Sequence, residues 1–143
     1  LAVDPLSGAL YVLTKGRSGQ LHLMEKKSPH KLGEHATMTR VKTFDIPVAK
    51  KDSAYQATGM DISSDGRMLA WRNYDTAMLW TRGADEEWSQ ALERQPCRIA
   101  LPKQPQGESI AFSKDGKSLW TISESKYQPV YRIDLSFGKA PDP

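Results

Sequence analysis

The stretch ISSDGRMLAW, residues 62–71, returns later in the chain as FSKDGKSLWT, residues 112–121, and more loosely at its start as VDPLSGALYV, residues 3–12. In each copy an apolar run ends in a polar turn with a glycine, and a second apolar run follows. Asp-Gly between two alternating apolar runs is a strong hairpin signal, because glycine adopts positive φ without steric cost. The repetition therefore predicts three related β-hairpins.

Further alternating runs extend each hairpin, as expected for half-buried strands. The third strands are predicted at GQLHLME (19–25), TAMLWT (76–81) and PVYRID (129–134). Fourth, outer strands are predicted at RVKTFDI (40–46) and CRIALP (97–102), and none follows the third hairpin. The first unit lacks most of its inner strand.

Repeated four-stranded units of this kind predict an all-β fold, a β-propeller segment of about three blades. The predicted units are residues 1–52, 53–103 and 104–135, followed by a tail at 136–143 that is rich in Pro and Gly. One helix is predicted, at ADEEWSQALE, residues 84–93, with acidic residues in its first turn and Trp88, Ala91 and Leu92 on one face. It decorates the outer rim of the second unit.

Composition excludes several classes of protein. The 143 residues are 38% hydrophobic and 26% charged, which is typical of a globular domain. The apolar runs are only strand-sized, so no membrane-spanning helix is expected. The net charge of +3 is spread over loops, which argues against a nucleic-acid interface. The single cysteine, Cys97, excludes an intrachain disulfide, and we expect it to pack as a small apolar residue on a short strand.

Two tryptophans occupy nearly equivalent places in the repeats. Trp71 and Trp120 lie one residue apart when the units are aligned on the turn glycine. Because large aromatic side chains contribute much apolar contact area, we predict that both fill the space between blades.

The runs LAVDPLSGALYVLTKG, GMDISSDGRMLAWRNYDTAMLW and PQGESIAFSKDGKSLWTISES with PVYRIDL carry a family resemblance. The chain resembles bacterial six-bladed β-propellers of the esterase-like or phytase-like type, related to NHL and gluconolactonase-like propellers. The resemblance covers most of the chain. It is specific for architecture and not for chemistry, since propellers host enzymes, receptors and scaffolds alike.

The resemblance also indicates where a site would lie. Residues that open the inner strands face the central channel of a propeller, and lactonase-like members hold a divalent cation there. Glu108 is the candidate metal ligand whose position fits, and Asp61 is a second candidate that either faces the channel or lies on the other side of its strand. Residues that close the second strands would form a polar funnel for a substrate: Lys15, Arg72, Asn73 and Glu124.

These patterns leave two functions open. The first is a binding or scaffold domain, and the alternative is a calcium-dependent hydrolase of the esterase, lactonase or phosphoesterase type with a small-molecule substrate. An open arc of blades would expose two apolar faces, so we expect either a homodimer or the remaining blades of a longer propeller as partner. The chain opens within a strand pattern and without Met, which predicts a piece of a longer or processed protein. The resemblance implies a secreted or periplasmic location.

Overall fold

The computed structural model of the chain describes residues 1–16, 19–45 and 56–136. Within these residues the strands are β1 Ala2–Val3, β2 Leu10–Leu13, β3 Gln20–Lys26, β4 Thr39–Asp45, β5 Gly59–Ile62, β6 Met68–Arg72, β7 Thr76–Thr81, β8 Cys97–Ala100, β9 Ala111–Phe112, β10 Ser118–Ile122 and β11 Val130–Asp134. One short helix, α1 Trp88–Ala91, lies between β7 and β8.

Three antiparallel sheets follow one another along the chain. The first has the order β1-β2-β3-β4, the second β5-β6-β7-β8 and the third β9-β10-β11. Every strand pairs with its neighbour in sequence, so each sheet is a meander. The all-β prediction is confirmed. The third sheet has three strands among the described residues, and the predicted tail lies outside those residues from position 137 on. The strands of each sheet lie within one predicted unit, whose exact boundaries stay predictions.

The two Asp-Gly turns fold in the same way. In the second sheet the Ser63 hydroxyl donates to Asp65 Oδ1 at 2.6 Å, and the Gly66 N–H donates to the Ser63 carbonyl at 2.8 Å. The same bonds form in the third sheet at Ser113, Asp115 and Gly116. Both glycines have positive φ, +68° and +69°, a conformation that a side chain would strain. The hairpin predictions are confirmed, and these turns set the register of the strands on either side.

The second sheet is buried on both faces, because its side chains alternate between two cores. Leu69 and Trp71 of β6 belong to a cluster shared with the first sheet, whereas Met68 and Ala70 belong to a cluster shared with the third. All five residues of β6 are buried. Phe44 of the first sheet packs against Trp71 and Trp80, at ring-centroid distances of 6.1 and 5.6 Å. The three sheets are therefore stacked face to face.

The first strands of the three sheets, called the inner strands below, lie side by side. β5 contacts both β1 and β9, the first strands of the neighbouring sheets. Asp61 of β5 accepts the backbone N–H of Phe112 of β9 at 2.8 Å. The three sheets are thus stacked with their first strands on the same side and their last strands on the other.

The end sheets each leave one apolar face uncovered within the described chain. The N-terminal open face carries Val3, Leu10, Val12 and Met24. The C-terminal open face carries Ala111, Trp120, Ile122 and Val130.

Trp71 fills the space between two sheets as predicted, whereas no sheet lies beside Trp120 among the described residues, so its packing between blades stays a prediction. Trp120 lies on the C-terminal open face with 40% of its surface exposed. Successive residues of a strand point to opposite faces, so a shift of one residue in the alignment places Trp120 on the other side of its sheet.

The helix is shorter than predicted. It spans Trp88–Ala91, and the acidic residues at 85–87 precede it instead of forming its first turn. Glu86 binds Arg94 and the Gly83 N–H, which holds these residues in the turn before the helix. Trp88, Ala91 and Leu92 are buried, as predicted. No helix within the described ranges combines the length and apolar character that a membrane crossing requires.

A buried ion pair joins the first sheet to the second. Asp4, in the turn after β1, accepts from Arg82 Nη2 at 2.9 Å, and both side chains are almost fully buried. Arg82 also donates to the Gly66 carbonyl at 2.7 Å and lies 4.5 Å from the ring centroid of Trp88. The first turn, the second turn and the helix therefore meet at one guanidinium group.

We expect Asp4→Asn to lower the free energy of unfolding by about 3 kcal/mol, because it leaves the buried charge of Arg82 uncompensated while keeping an acceptor in the turn. Asp134→Asn is the matched control, since Asp134 forms an exposed pair with Arg132 and its loss should cost less than about 1 kcal/mol. Urea denaturation measures both. Equal effects of the two substitutions would contradict the structural role of the Asp4–Arg82 pair.

Candidate functional site

Polar side chains gather where the second strand of each sheet ends. Lys15, Tyr74 and Glu124 each lie two residues beyond that strand, and Glu108 and Gln106 precede the inner strand of the third sheet. These five residues are called the rim cluster below. Because the inner strands of the sheets are adjacent, the cluster draws one member or more from every sheet.

Glu108 is the centre of the rim cluster. Its Oε1 lies 3.6 Å from Lys15 Nζ, accepts from the Tyr74 hydroxyl at 3.2 Å and accepts from Gln106 Nε2 at 3.4 Å. Glu124 is held beside these residues, because its backbone N–H donates to the Gln106 carbonyl at 2.8 Å. The Glu108 and Lys15 side chains keep 22% and 42% of their surface exposed, so a ligand can reach both.

The neighbours of Glu108 favour its charged form. Partial burial opposes ionisation, but the hydrogen bond from Gln106, the positive charge of Lys15 and the Tyr74 hydroxyl outweigh it and lower the pKa of Glu108. Burial and the bond to Glu108 both raise the pKa of Tyr74, which therefore stays a neutral donor. The cluster offers a carboxylate, an ammonium group and neutral donors within one small area.

Arg72 is buried beside the rim cluster and binds the backbone of the turn that carries Tyr74. Its side chain is fully buried and donates to the carbonyl oxygens of Asn73 and Tyr74 at 2.8 and 3.0 Å. On the side of the third sheet it donates to Gln104 Oε1 at 2.7 Å and to the Thr121 hydroxyl. Burial lowers the pKa of Arg72, while the charges of nearby acidic groups act in the opposite direction.

Gly107 brings the Glu108 backbone against this guanidinium group. A Cβ at Gly107 would lie 2.1 Å from Arg72 Nη2, so any larger residue requires the guanidinium group to move. The Gly107 carbonyl accepts the Thr58 hydroxyl at 2.8 Å, and Gly107 bridges to Ser123 beside β10. The segment before β9 is thereby fixed to both the second and the third sheet, which orients Glu108 at the rim.

The structure brings together only part of the predicted site. Glu108, Glu124 and Lys15 meet, as the funnel hypothesis requires. Arg72 is buried among structural acceptors, and Asn73 Oδ1 accepts two backbone N–H groups of its own turn, at 3.0 and 2.8 Å. This geometry favours structural roles for both, and their role in substrate binding stays a prediction.

Asp61, the second candidate metal ligand, lies apart from Glu108. Its carboxylate accepts the Phe112 N–H, so it faces the third sheet and joins the two inner strands. Across residues 1–16, 19–45 and 56–136, no group of three or more His, Cys, Asp or Glu side chains is arranged to hold a metal ion. The calcium site therefore stays a prediction.

Tyr74 and Gln106 are members of the cluster that the sequence interpretation missed. The repeat held a signal for Tyr74, because it occupies the position of Glu124 when the second and third units are aligned on Gly66 and Gly116. No comparable signal marked Gln106, which reaches the cluster through irregular backbone.

The prediction that Cys97 is packed is wrong, although its strand is confirmed. Cys97 pairs with Leu79 and shares the face of the second sheet that points to the third, yet its side chain is exposed. The third sheet has no fourth strand among the described residues to cover it.

Comparison with known proteins adds no identification. No protein-family model matches the chain, and no curated protein matches it significantly. The functional inference therefore depends on the fold and on the rim cluster.

We expect Gly107→Ala to lower the free energy of unfolding by about 2 kcal/mol, because the new methyl group must displace the Arg72 guanidinium from its acceptors. Gly83→Ala is the matched control, since a Cβ there meets only the Glu86 side chain, at 3.7 Å or more. Thermal or urea unfolding measures both variants. A Gly107→Ala protein as stable as the control would show that the buried contact does not hold this segment.

Proposed function

We propose that this chain is a segment of a β-propeller that acts as a binding or scaffold domain, and that its two open faces bind further sheets. One observation carries the proposal: the middle sheet is covered by apolar contacts on both faces, whereas each end sheet leaves one apolar face exposed. Exposed apolar patches of this kind mark interaction surfaces in soluble proteins.

The direction of stacking supports the propeller assignment. The sheets follow one another with their inner strands adjacent, as blades do around a central axis. In both contacts between sheets, the face that an earlier sheet turns toward the C-terminal end of the stack packs on the face that the next sheet turns toward the N-terminal end. The C-terminal open face is equivalent to the former, and the N-terminal open face is equivalent to the latter.

A second copy of the chain supplies both missing faces. Two copies related by a twofold axis would place each C-terminal open face against the N-terminal open face of the partner, and cyclic dimers are the commonest assemblies. The rim clusters of both copies would then surround one channel, where a polar small molecule is the expected ligand.

We expect light scattering to give a mass near twice the 16.0 kDa of the chain. Trp120→Glu should return the mass to that of the monomer, because it replaces the largest apolar side chain of the C-terminal open face with a charged one. Leu32→Glu is the control, since Leu32 is a fully exposed leucine in a loop. A monomeric unmodified chain, or dimers that persist with Trp120→Glu, would count against pairing of two copies through this face.

The second candidate function is a calcium-dependent hydrolase. The rim cluster contains two acidic residues that both contact Gln106, Glu108 through its carboxylate and Glu124 through its backbone N–H. This favours the hydrolase, because carboxylate oxygens are preferred ligands of Ca²⁺. Added Ca²⁺ should then raise the melting temperature of the chain, with the rise lost in Glu108→Gln and kept in the exposed control Glu34→Gln. The same Glu108 variant should lose turnover of a generic ester or lactone. A melting temperature that responds neither to Ca²⁺ nor to a chelator would contradict this function.

A further inference from the structure

The third sheet ends where the other two continue. In the first and second sheets a fourth strand pairs antiparallel with the third strand, β4 with β3 and β8 with β7. The equivalent strand of the third sheet, β11, pairs only with β10 among the described residues. Its outer edge is thus an unpaired row of backbone groups.

The register identifies the groups on this edge. The Leu135 N–H donates to the Lys117 carbonyl, so residue 135 faces β10. Because the hydrogen-bonding direction alternates along an antiparallel strand, Val130, Arg132 and Asp134 point their N–H and C=O groups away from β10. An unpaired edge of this kind is a template for another strand.

A cavity of about 500 Å³ lies beside this edge, between the outer parts of the second and third sheets. Its apolar lining includes Leu79, Ile99 and Leu135, and Cys97 opens into it. Between the first and second sheets both fourth strands line the corresponding space, β4 with Phe44 from one side and β8 with Arg98 from the other. Between the second and third sheets only β8 does so among the described residues. The cavity is therefore where side chains of a fourth strand of the third sheet would pack.

We propose that the β11 edge and this cavity bind an extended segment of a partner polypeptide, which adds as an antiparallel fourth strand and places apolar side chains at alternate positions in the cavity. Backbone pairing with Val130, Arg132 and Asp134 gives affinity, and the apolar lining selects the alternating pattern. The first two sheets supply the template, since their fourth strands pair antiparallel, over seven residues in β4 and four in β8. A compact ligand could fill the cavity but would leave the backbone edge unpaired.

The thiol of Cys97 reports on occupancy without any substitution, because it is the only cysteine of the chain and is exposed. The probe is an acetylated and amidated peptide, Thr-Val-Thr-Leu-Thr-Val-Lys, and the control has the same composition with the apolar residues adjacent to one another. We expect the alternating peptide, at saturation, to slow modification of Cys97 by a thiol reagent about tenfold or more, since access governs thiol reactivity. Equal protection by both peptides, or protection by neither, would overturn the proposal.

A substitution at the edge tests the backbone pairing itself. Arg132→Pro removes an outward N–H and is tolerated at a sheet edge, whereas Arg132→Thr keeps that N–H. We expect the proline variant to lose Cys97 protection and the threonine variant to keep it. Circular dichroism and the melting temperature show whether the proline variant is folded. Undiminished protection in a folded proline variant would exclude strand addition.

Residue-resolved hydrogen exchange applies to the unmodified chain and needs no variant. The alternating peptide should slow exchange at Val130, Arg132 and Asp134 while leaving the already bonded Tyr131 and Ile133 unchanged. Uniform slowing along β11 would indicate general stabilisation and contradict the proposal. Protection of Cys97 that rises with protein concentration in the absence of peptide would identify a second copy as the occupant and overturn the assignment to a partner polypeptide.

Discussion

The buried guanidinium of Arg72 is the constraint on which the geometry of the rim cluster depends. Removing a charged group from water costs free energy unless its donors are satisfied, and here acceptors from two sheets surround it. The bonds to Gln104 and Thr121 fix the third sheet against the turn that follows β6. The same group lies directly against Gly107, so Glu108 follows at a defined place. One buried cation thereby links the stacking of sheets to the position of the candidate site.

The stacking of the sheets follows from the alternation of side chains between the two faces of each strand. The two central strands of the middle sheet, β6 and β7, have apolar side chains on both faces, so they can be buried only if a sheet lies on either side. The end sheets obey the same rule but find one neighbour each within the described chain. Their open faces and the open edge of β11 have one origin, that the described residues form three sheets in a row with no further sheet or strand beside the first and the last. The proposed assembly and the proposed strand addition use different surfaces of the molecule, the sheet faces and the sheet edge.

Local patterns predicted most of the secondary structure, because alternation and Asp-Gly turns act over a few residues. They do not determine burial that depends on a neighbouring sheet: Trp120 is on an open face, and Cys97 lies beside a strand position that the described chain leaves vacant. In the candidate site, the resemblance to propellers pointed to Glu108, and its role as a metal ligand stays a prediction. The burial of Arg72 could not be predicted from local patterns, because a charged residue at a strand end is usually exposed, whereas here acceptors from two sheets bury it. Tyr74 could be found from the sequence only by aligning the strand ends of the second and third units.

The central claim is that Arg72 joins the second and third sheets through direct hydrogen bonds, and a double-mutant cycle tests it most directly. The cycle combines Arg72→Met with Gln104→Met and measures the free energy of unfolding of the unmodified, single and double variants. The account predicts that the double variant is more stable than the sum of the single effects by about 1 to 2 kcal/mol, because each single change leaves a buried partner unsatisfied. Strict additivity of the two changes would contradict it.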